Sequence, residues 1–438
     1  MAAAPSLSPR ISSFFSKGRD GMPAMMHLPR AWALCAAVVL WAVIDPAWGT
    51  GAKQRDQPPV NPTKKSVNQD GRAEAKLVEV YRLIGTGSSH AALNSAEALV
   101  KDYPNFQLAQ LIYGDLLTAH NRPVRALGDF AGDLPPDAAS RLQDLREESR
   151  LRLLALKERP PRDAIPTQLL SLSPRNKHAI AVDVSRSRLY LFENGDNGPR
   201  LLADYYISVG KAGVDKKIEG DQRTPLGIYF ITSNLDPKSL KDLYGSGALP
   251  INYPNALDVR RGRSGSGIWL HGTPSNQFSR APHATDGCVA VANPDLDRII
   301  RTVEIRTTPV VISRNLKWVA PQSMNSEKAR FEEVLQSWTK AKSAGEFVQF
   351  SSFYAEDFTA DEKTQATHSA LKKTSSAAAR ARSIKLSDIS LLQWAEESGL
   401  VVATFGEVIA GEKSGRTIRQ YWERRKTQWK IVYEGVVG

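Results

Sequence analysis

His271 and Cys288 stand in segments whose residue types and spacing suit acyl-transfer chemistry. The first segment is Ile268-Trp-Leu-His-Gly-Thr-Pro274; a polar loop bearing Pro282 then leads to Thr285-Asp-Gly-Cys288. A thiol has a reference pKa of about 8.5, so it is largely protonated at neutral pH and needs a base or a positive environment to become a nucleophile. An imidazole at about 6.5 fills that role, either by abstracting the proton or by holding an ion pair. Gly287 lets the backbone turn closely, so that amide N–H groups near Cys288 face a developing oxyanion, with Gly272, Thr285 and Asp286 as support for the same turn. Nucleophile, base and oxyanion site then share one loop. The plainer reading is a small buried cysteine beside a glycine and a capped histidine at a strand end. His283 with His271 and Asp286 matches no zinc spacing, so neither a metal nor another cofactor is expected.

The chain has two cysteines, and the other, Cys35, lies in the apolar run 31–44. Arg30 precedes that run, and Ala47-Trp48-Gly49 sets small residues at the −3 and −1 positions of a signal-peptidase site. At about 14 residues the run is short for a span, which needs roughly 20, so a cleaved signal over 1–49 is expected rather than an anchor. Initiation at Met22, Met25 or Met26 gives a conventional signal, and Cys35 inside the apolar stretch does not resemble a lipobox. The mature protein is then expected in the periplasm or cell envelope, with no stable membrane span and Cys288 as its one thiol. An intramolecular disulfide is thereby excluded.

The elements that must position the pair sit in a chain of 438 residues, long enough for about three modules. The expected class is multidomain α+β. Residues 50–71 are a polar, Pro-bearing linker. Over 72–160 the apolar period is helical: Ala73, Leu77, Val80, Tyr81 and Ile84 form one stripe, Ala92, Ala96, Leu99 and Val100 another, and Tyr103-Pro104 stops the second helix. The result is an all-helical module, tetratricopeptide-like pairs or a plain bundle. Over 165–318 the period becomes two, with Ile180, Val182 and Val184 alternating with their neighbours, and further strands at 205–209, 226–232, 268–271 and 308–313. That pattern suits a β-rich, sandwich- or barrel-like domain. A second linker at 320–325 leads into 325–438, where a helix carrying Phe331, Val334, Leu335, Trp338 and Ala341, capped by Ser326, precedes a polar stretch at 361–385 and strands at 399–410, 416–424 and 428–434. This α+β unit is similar to the cone-shaped nuclear-transport-factor-like fold.

His271 followed by Thr285-Asp-Gly-Cys288 resembles the active-site signature of the L,D-transpeptidases, in which a His stands upstream of a Ser/Thr-His-Gly-Cys turn. Ser208-Val-Gly210, Thr224-Pro-Leu-Gly-Ile-Tyr229 and Leu249-Pro-Ile-Asn-Tyr-Pro-Asn255 follow in the family's order. The resemblance covers 176–314 and implies a β-rich domain without metal, acting on peptidoglycan stem peptides, with Cys288 as nucleophile and His271 as base. Two positions depart from the common pattern. Asp286 takes the place of the turn's His, and Ala290 stands where many members carry Arg. A donor carboxylate then needs another partner among Arg280, Arg260, Arg261 and Arg263, and Arg280 and Tyr253 are expected to bind substrate.

The expected function is an exported cysteine L,D-transpeptidase that passes a Cys288 thioester to an amine of another stem peptide. Two alternatives stand beside it: an L,D-carboxypeptidase or endopeptidase using the same pair, and a non-catalytic wall-binding scaffold. The formal charge of +12 suits an anionic partner, but no Lys/Arg run or ribonucleoprotein pattern points to nucleic acid. A protein partner or a second copy is expected, if anywhere, on the helical or C-terminal module.

Overall fold

Four helices open the described part of the chain: α1 (Arg72–Gly85), α2 (Ser89–Asp102), α3 (Gln107–Ala119) and α4 (Pro136–Lys157). In this computed structural model residues 71–437 are described, apart from 131, 374–380, 395, 397 and 398. The signal segment 1–49 and the linker as far as residue 70 lie outside the described residues. Among the described residues no helix is long and apolar enough to cross a membrane. α1 buries Ala73, Leu77, Val80 and Leu83, while Ile84 in its last turn is exposed. Tyr81 reaches Ser149 on α4, hydroxyl to hydroxyl at 2.7 Å. α2 stops at Asp102, because Pro104 has no N–H to continue the ladder and disfavours helical geometry at Tyr103. α4 starts with Pro136 at its first position, where the missing N–H costs nothing.

The next stretch supplies β1 (Ile165–Pro166), β2 (His178–Asp183), β3 (Arg188–Gly195), β4 (Gly198–Gly210), β5 (Gly227–Phe230), β6 (Ala248–Pro250), α5 (Ala256–Arg260), β7 (Trp269–His271), β8 (His283–Thr285), β9 (Val289–Val291), α6 (Asn293–Thr302), β10 (Pro309–Ser313) and β11 (Trp318–Val319). The main sheet runs β5-β10-β2-β3-β4-β9-β7-β6, with β8 beside β4, and β1 pairs with β11. β10 lies parallel to β2, and β9 parallel to β7. The period-two reading of β2 fails here. Ala179, Ile180, Ala181, Val182 and Asp183 are all buried, since the central strands are covered on both faces.

The C-terminal part explains one cover. It comprises α7 (Asn325–Ala344), α8 (Phe347–Ser351), β12 (Tyr354–Ala360), α9 (Glu362–Lys373), β13 (Ile384–Trp394), β14 (Leu400–Ile409), β15 (Arg416–Arg425) and β16 (Gln428–Val437), with sheet order β12-β16-β15-β14-β13. α7 buries Phe331, Leu335, Trp338 and Ala341 against this sheet. Leu392, Trp394, Leu400, Val402 and Tyr421 instead share one hydrophobic cluster with Ile180, Val182 and Tyr229. Ser171, in the segment between β1 and β2, and Leu391 of β13 exchange backbone hydrogen bonds of 2.9 and 2.8 Å.

Three expectations need correction. Residues 321–324 form a short 3-10 turn whose Met324 is buried, so the stretch 320–325 is a packed joint rather than a free linker. Ser326 lies inside α7, which starts at Asn325, and does not cap it. The polar stretch 361–385 contains α9 and the start of β13, and β12 is a strand the residue pattern did not announce.

Candidate active site

The sheet places His271 on β7 and Cys288 at the entry to β9, its parallel neighbour. Leu270 pairs with Val289 and His271 with Ala290, so Cys288, just before β9, enters beside Trp269 near the start of β7. His271 closes β7 on the same edge. It is 2 % exposed, with Tyr244 packed edge-on against its ring at 5.2 Å between centroids. Its Nδ1 lies 2.7 Å from the Gly272 carbonyl oxygen, which can only accept. Nδ1 therefore carries the proton, and Nε2 keeps the basic lone pair. Burial pulls the imidazole down to about 4, with the Gly272 carbonyl opposing and the Arg280 charge adding to the drop.

The thiol is pushed up from its ordinary value, first by burial and then by the Asp286 charge. The Trp269 backbone, Arg280 and Lys216 oppose this. In the resting protein the thiol donates to the Gly267 carbonyl at 3.4 Å. The resting pair is thus neutral thiol and neutral imidazole. Of the two roles open to an imidazole, this favours proton abstraction over a standing ion pair.

Thr285 shapes the nucleophile turn. Its Oγ1 donates to the Cys288 carbonyl at 2.7 Å and accepts the Gly287 N–H at 3.1 Å. The Gly287 amide is therefore already occupied by Thr285. Gly287 is needed for its shape. Its φ is +126°, and a Cβ there would lie 2.8 Å from the Arg223 carbonyl oxygen. Gly272 has a comparable constraint, since a Cβ would fall 2.0 Å from Asn293 Oδ1.

Asn293 is a residue that sequence reasoning missed. Its Oδ1 accepts from the Ser246 and Thr273 amides, each at 3.0 Å, and its Nδ2 donates to the Thr273 carbonyl at 2.9 Å. It ties the chain just after His271 to the start of α6. Its place in Val-Ala-Asn-Pro directly after the cysteine strand was the available signal. Lys216 was also missed; it is buried, paired to Asp221 at 2.8 Å, and lends positive potential to the thiol.

The remaining candidates separate. Asp286 is exposed on the rim, paired to Lys211 at 3.0 Å and within 3.3 Å of Gln222 Nε2. Tyr253 is 5 % exposed, packs against Tyr229 and donates to the Ser264 carbonyl at 3.0 Å, so it props the chain and offers no open hydroxyl to a substrate. Arg260 pairs with Asp357, Arg261 with Glu423, and Arg263 with Asp215, the first two on the C-terminal part. Arg280 alone among the four acts on both His271 and Cys288.

The loop between the two residues is held by the helices. Asn105 accepts the Phe278 N–H at 3.0 Å, and its Nδ2 donates to the Ser275 carbonyl at 3.1 Å. Phe278 packs on Phe106 and Tyr103. Ser279 Oγ donates to Glu148 at 2.8 Å, and Glu148 in turn accepts from the buried Arg152. Arg152 also pairs with Glu74 and lies over the Tyr206 ring, 4.0 Å from its centroid.

Comparison with protein families matches residues 177–312 to the L,D-transpeptidase catalytic domain. The segment is an L,D-transpeptidase catalytic domain. Residues 330–435 match the Cds6 C-terminal NTF2-like domain. Two solved structures share the fold at 24% identity. Bd1075 of Bdellovibrio bacteriovorus aligns over 63% of this chain and 98% of its own with a TM-score of 0.53. The helical cell shape determining protein Pgp2 of Campylobacter jejuni aligns over 61% and 95% with a TM-score of 0.50. A comparison with curated proteins gives no match.

Proposed function

We propose that this L,D-transpeptidase-family protein is an exported enzyme that acts on peptidoglycan stem peptides in the cell envelope through a Cys288 thioester. Cys288 Sγ attacks the carbonyl between the diamino acid and D-alanine, and His271 Nε2 takes the thiol proton. The C–N bond breaks, the proton passes to the departing amine, and D-alanine leaves. An amine of a second stem peptide then attacks the thioester, giving a cross-link and returning the thiol. The observation that carries this reading is a buried imidazole whose Nδ1 proton is fixed on the Gly272 carbonyl, on a strand paired with the one that Cys288 leads into.

A second reading lets water resolve the same thioester, making an L,D-carboxypeptidase or endopeptidase. It is favoured by Ala290, which is buried in β9 and leaves its position without a cation. Trimming or cross-linking of stem peptides is also how such an enzyme would set cell shape.

Purified protein incubated with muropeptides, followed by mass spectrometry, separates the readings. Cross-linked dimers support transfer, and shortened monomers support hydrolysis. Cys288→Ala should lose both products while keeping its melting temperature. Turnover by a folded Cys288→Ala protein would remove the thioester mechanism.

A further inference from the structure

One face of α4 is only half used by the fold. Arg141, Asp144, Glu148 and Arg152 recur at helical spacing, and so line one side of the helix. Glu148 and Arg152 are buried and fasten α4 to Ser279 and the sheet. Toward the helix start the same face stays open. Arg141 and Asp144 are exposed, and neither has an ion-pair or side-chain hydrogen-bond partner among the described residues. Between this open end and the loop carrying Arg280 lies a cleft of about 410 Å³, lined by Gln107, Arg141, Asp144, Glu148, Ser279 and Arg280, among others. Past Arg141 a wider groove of about 740 Å³ continues between α3 and α4.

Arg280 belongs at once to this cleft and to the reaction centre, since its charge acts on His271 and Cys288. The lining also takes in Ala284, which precedes Thr285 of the nucleophile turn, so a ligand filling the cleft reaches the strand that leads into Cys288. The Ser279–Glu148 bond and the Glu148–Arg152 pair fasten the loop that carries Arg280 to α4. Glu148 already accepts from Ser279 and Arg152, which leaves Arg141 and Arg280 as the cations facing the opening. Two guanidinium groups along a polar cleft match an extended peptide bearing more than one carboxylate.

We infer that the cleft between α3/α4 and the 276–284 loop is a subsite for the stem peptide, with Arg141 holding a carboxylate of the peptide remote from the bond that Cys288 attacks. The helical module is then part of the substrate-binding surface and determines specificity. The inference rests on the proposed reaction for the identity of the peptide, but its site is a different set of residues.

The test uses the whole chain carrying Cys288→Ala, so that binding is read without turnover. The dissociation constant is measured by calorimetry for a synthetic stem tetrapeptide with free carboxylates, and for the same peptide with carboxamides. Adding Arg141→Gln should weaken the carboxylate peptide about tenfold and leave the carboxamide peptide within about twofold, the scale of one exposed charge-assisted hydrogen bond. Arg141→Lys, which keeps the charge and loses the fork, should fall between. In protein with Cys288 intact, Arg141→Gln should raise KM, with kcat and the rate of Cys288 alkylation unchanged. Equal binding with and without Arg141, or an equal loss for both peptides, overturns the subsite. Neither result touches the thioester reading, which fails only if Cys288 proves dispensable for turnover.

Discussion

Replacing His271 by Gln should make the protein less sensitive to acid, even though it removes the proposed base. The imidazole is 2 % exposed and held down to about 4, whereas in the unfolded chain it titrates at about 6.5. Between these values the unfolded state binds a proton that the folded state refuses, so stability rises with pH across that window and falls on acidification. Linkage over those two pKa values gives a loss of about 2 kcal/mol from this one group between pH 7 and pH 5. Below about pH 4 both states are protonated and the loss levels off near 3 kcal/mol. Urea unfolding of the wild type and of His271→Gln at both pH values reads the difference directly. The wild type should lose about 2 kcal/mol more than the variant on going to pH 5. Parallel losses would show that the imidazole already titrates near its free value in the folded protein. The neutral-pair argument for the active site would then fall with it.

The raised thiol predicts that iodoacetamide labelling of Cys288 climbs about tenfold per pH unit through roughly pH 6–8, with no plateau of the kind a standing thiolate–imidazolium pair produces. Asp286→Asn should shift that curve to lower pH, because one of the charges raising the thiol is gone; a curve that does not move would deny the coupling. Gly287→Ala should cost about 1–3 kcal/mol of stability and lower turnover at least about tenfold, since φ is +126° and the new Cβ meets the Arg223 carbonyl; equal melting and activity would contradict the turn geometry. Limited proteolysis should not release a fragment ending at 318, because 321–324 is packed through Met324 and Leu392, Trp394 and Tyr421 lie in the core of the catalytic sheet; a stable 165–318 product would refute the shared core.

The site was legible where chemistry is written in consecutive residues. A thiol, a turn glycine and an upstream histidine at a strand end are local features, and they named Cys288, Gly287, Thr285 and His271 before any fold was known. Helices α1 and α2 were legible for the same reason, because an amphipathic stripe needs only its own residues to be seen. Other properties depend on what packs against each residue. Tyr253 looks like a ligand-binding tyrosine in its segment, but Tyr229 and the Ser264 carbonyl enclose it. The Gly287 amide looks free until Thr285 Oγ1 is placed on it. Four arginines were equivalent in sequence, and the sheet edge distinguished them by turning Arg260 and Arg261 to the C-terminal part and Arg280 to the thiol. β2 alternates in sequence but is buried on both faces, since the strand pattern carries no record of a second sheet arriving from residues 384–437. Sequence alone determined the candidate thiol and imidazole and the local elements that carry them. Tertiary structure alone decided their protonation, their hydrogen-bond partners and the helical wall beside them, because burial and long-range pairing are properties of neighbours far apart in the chain.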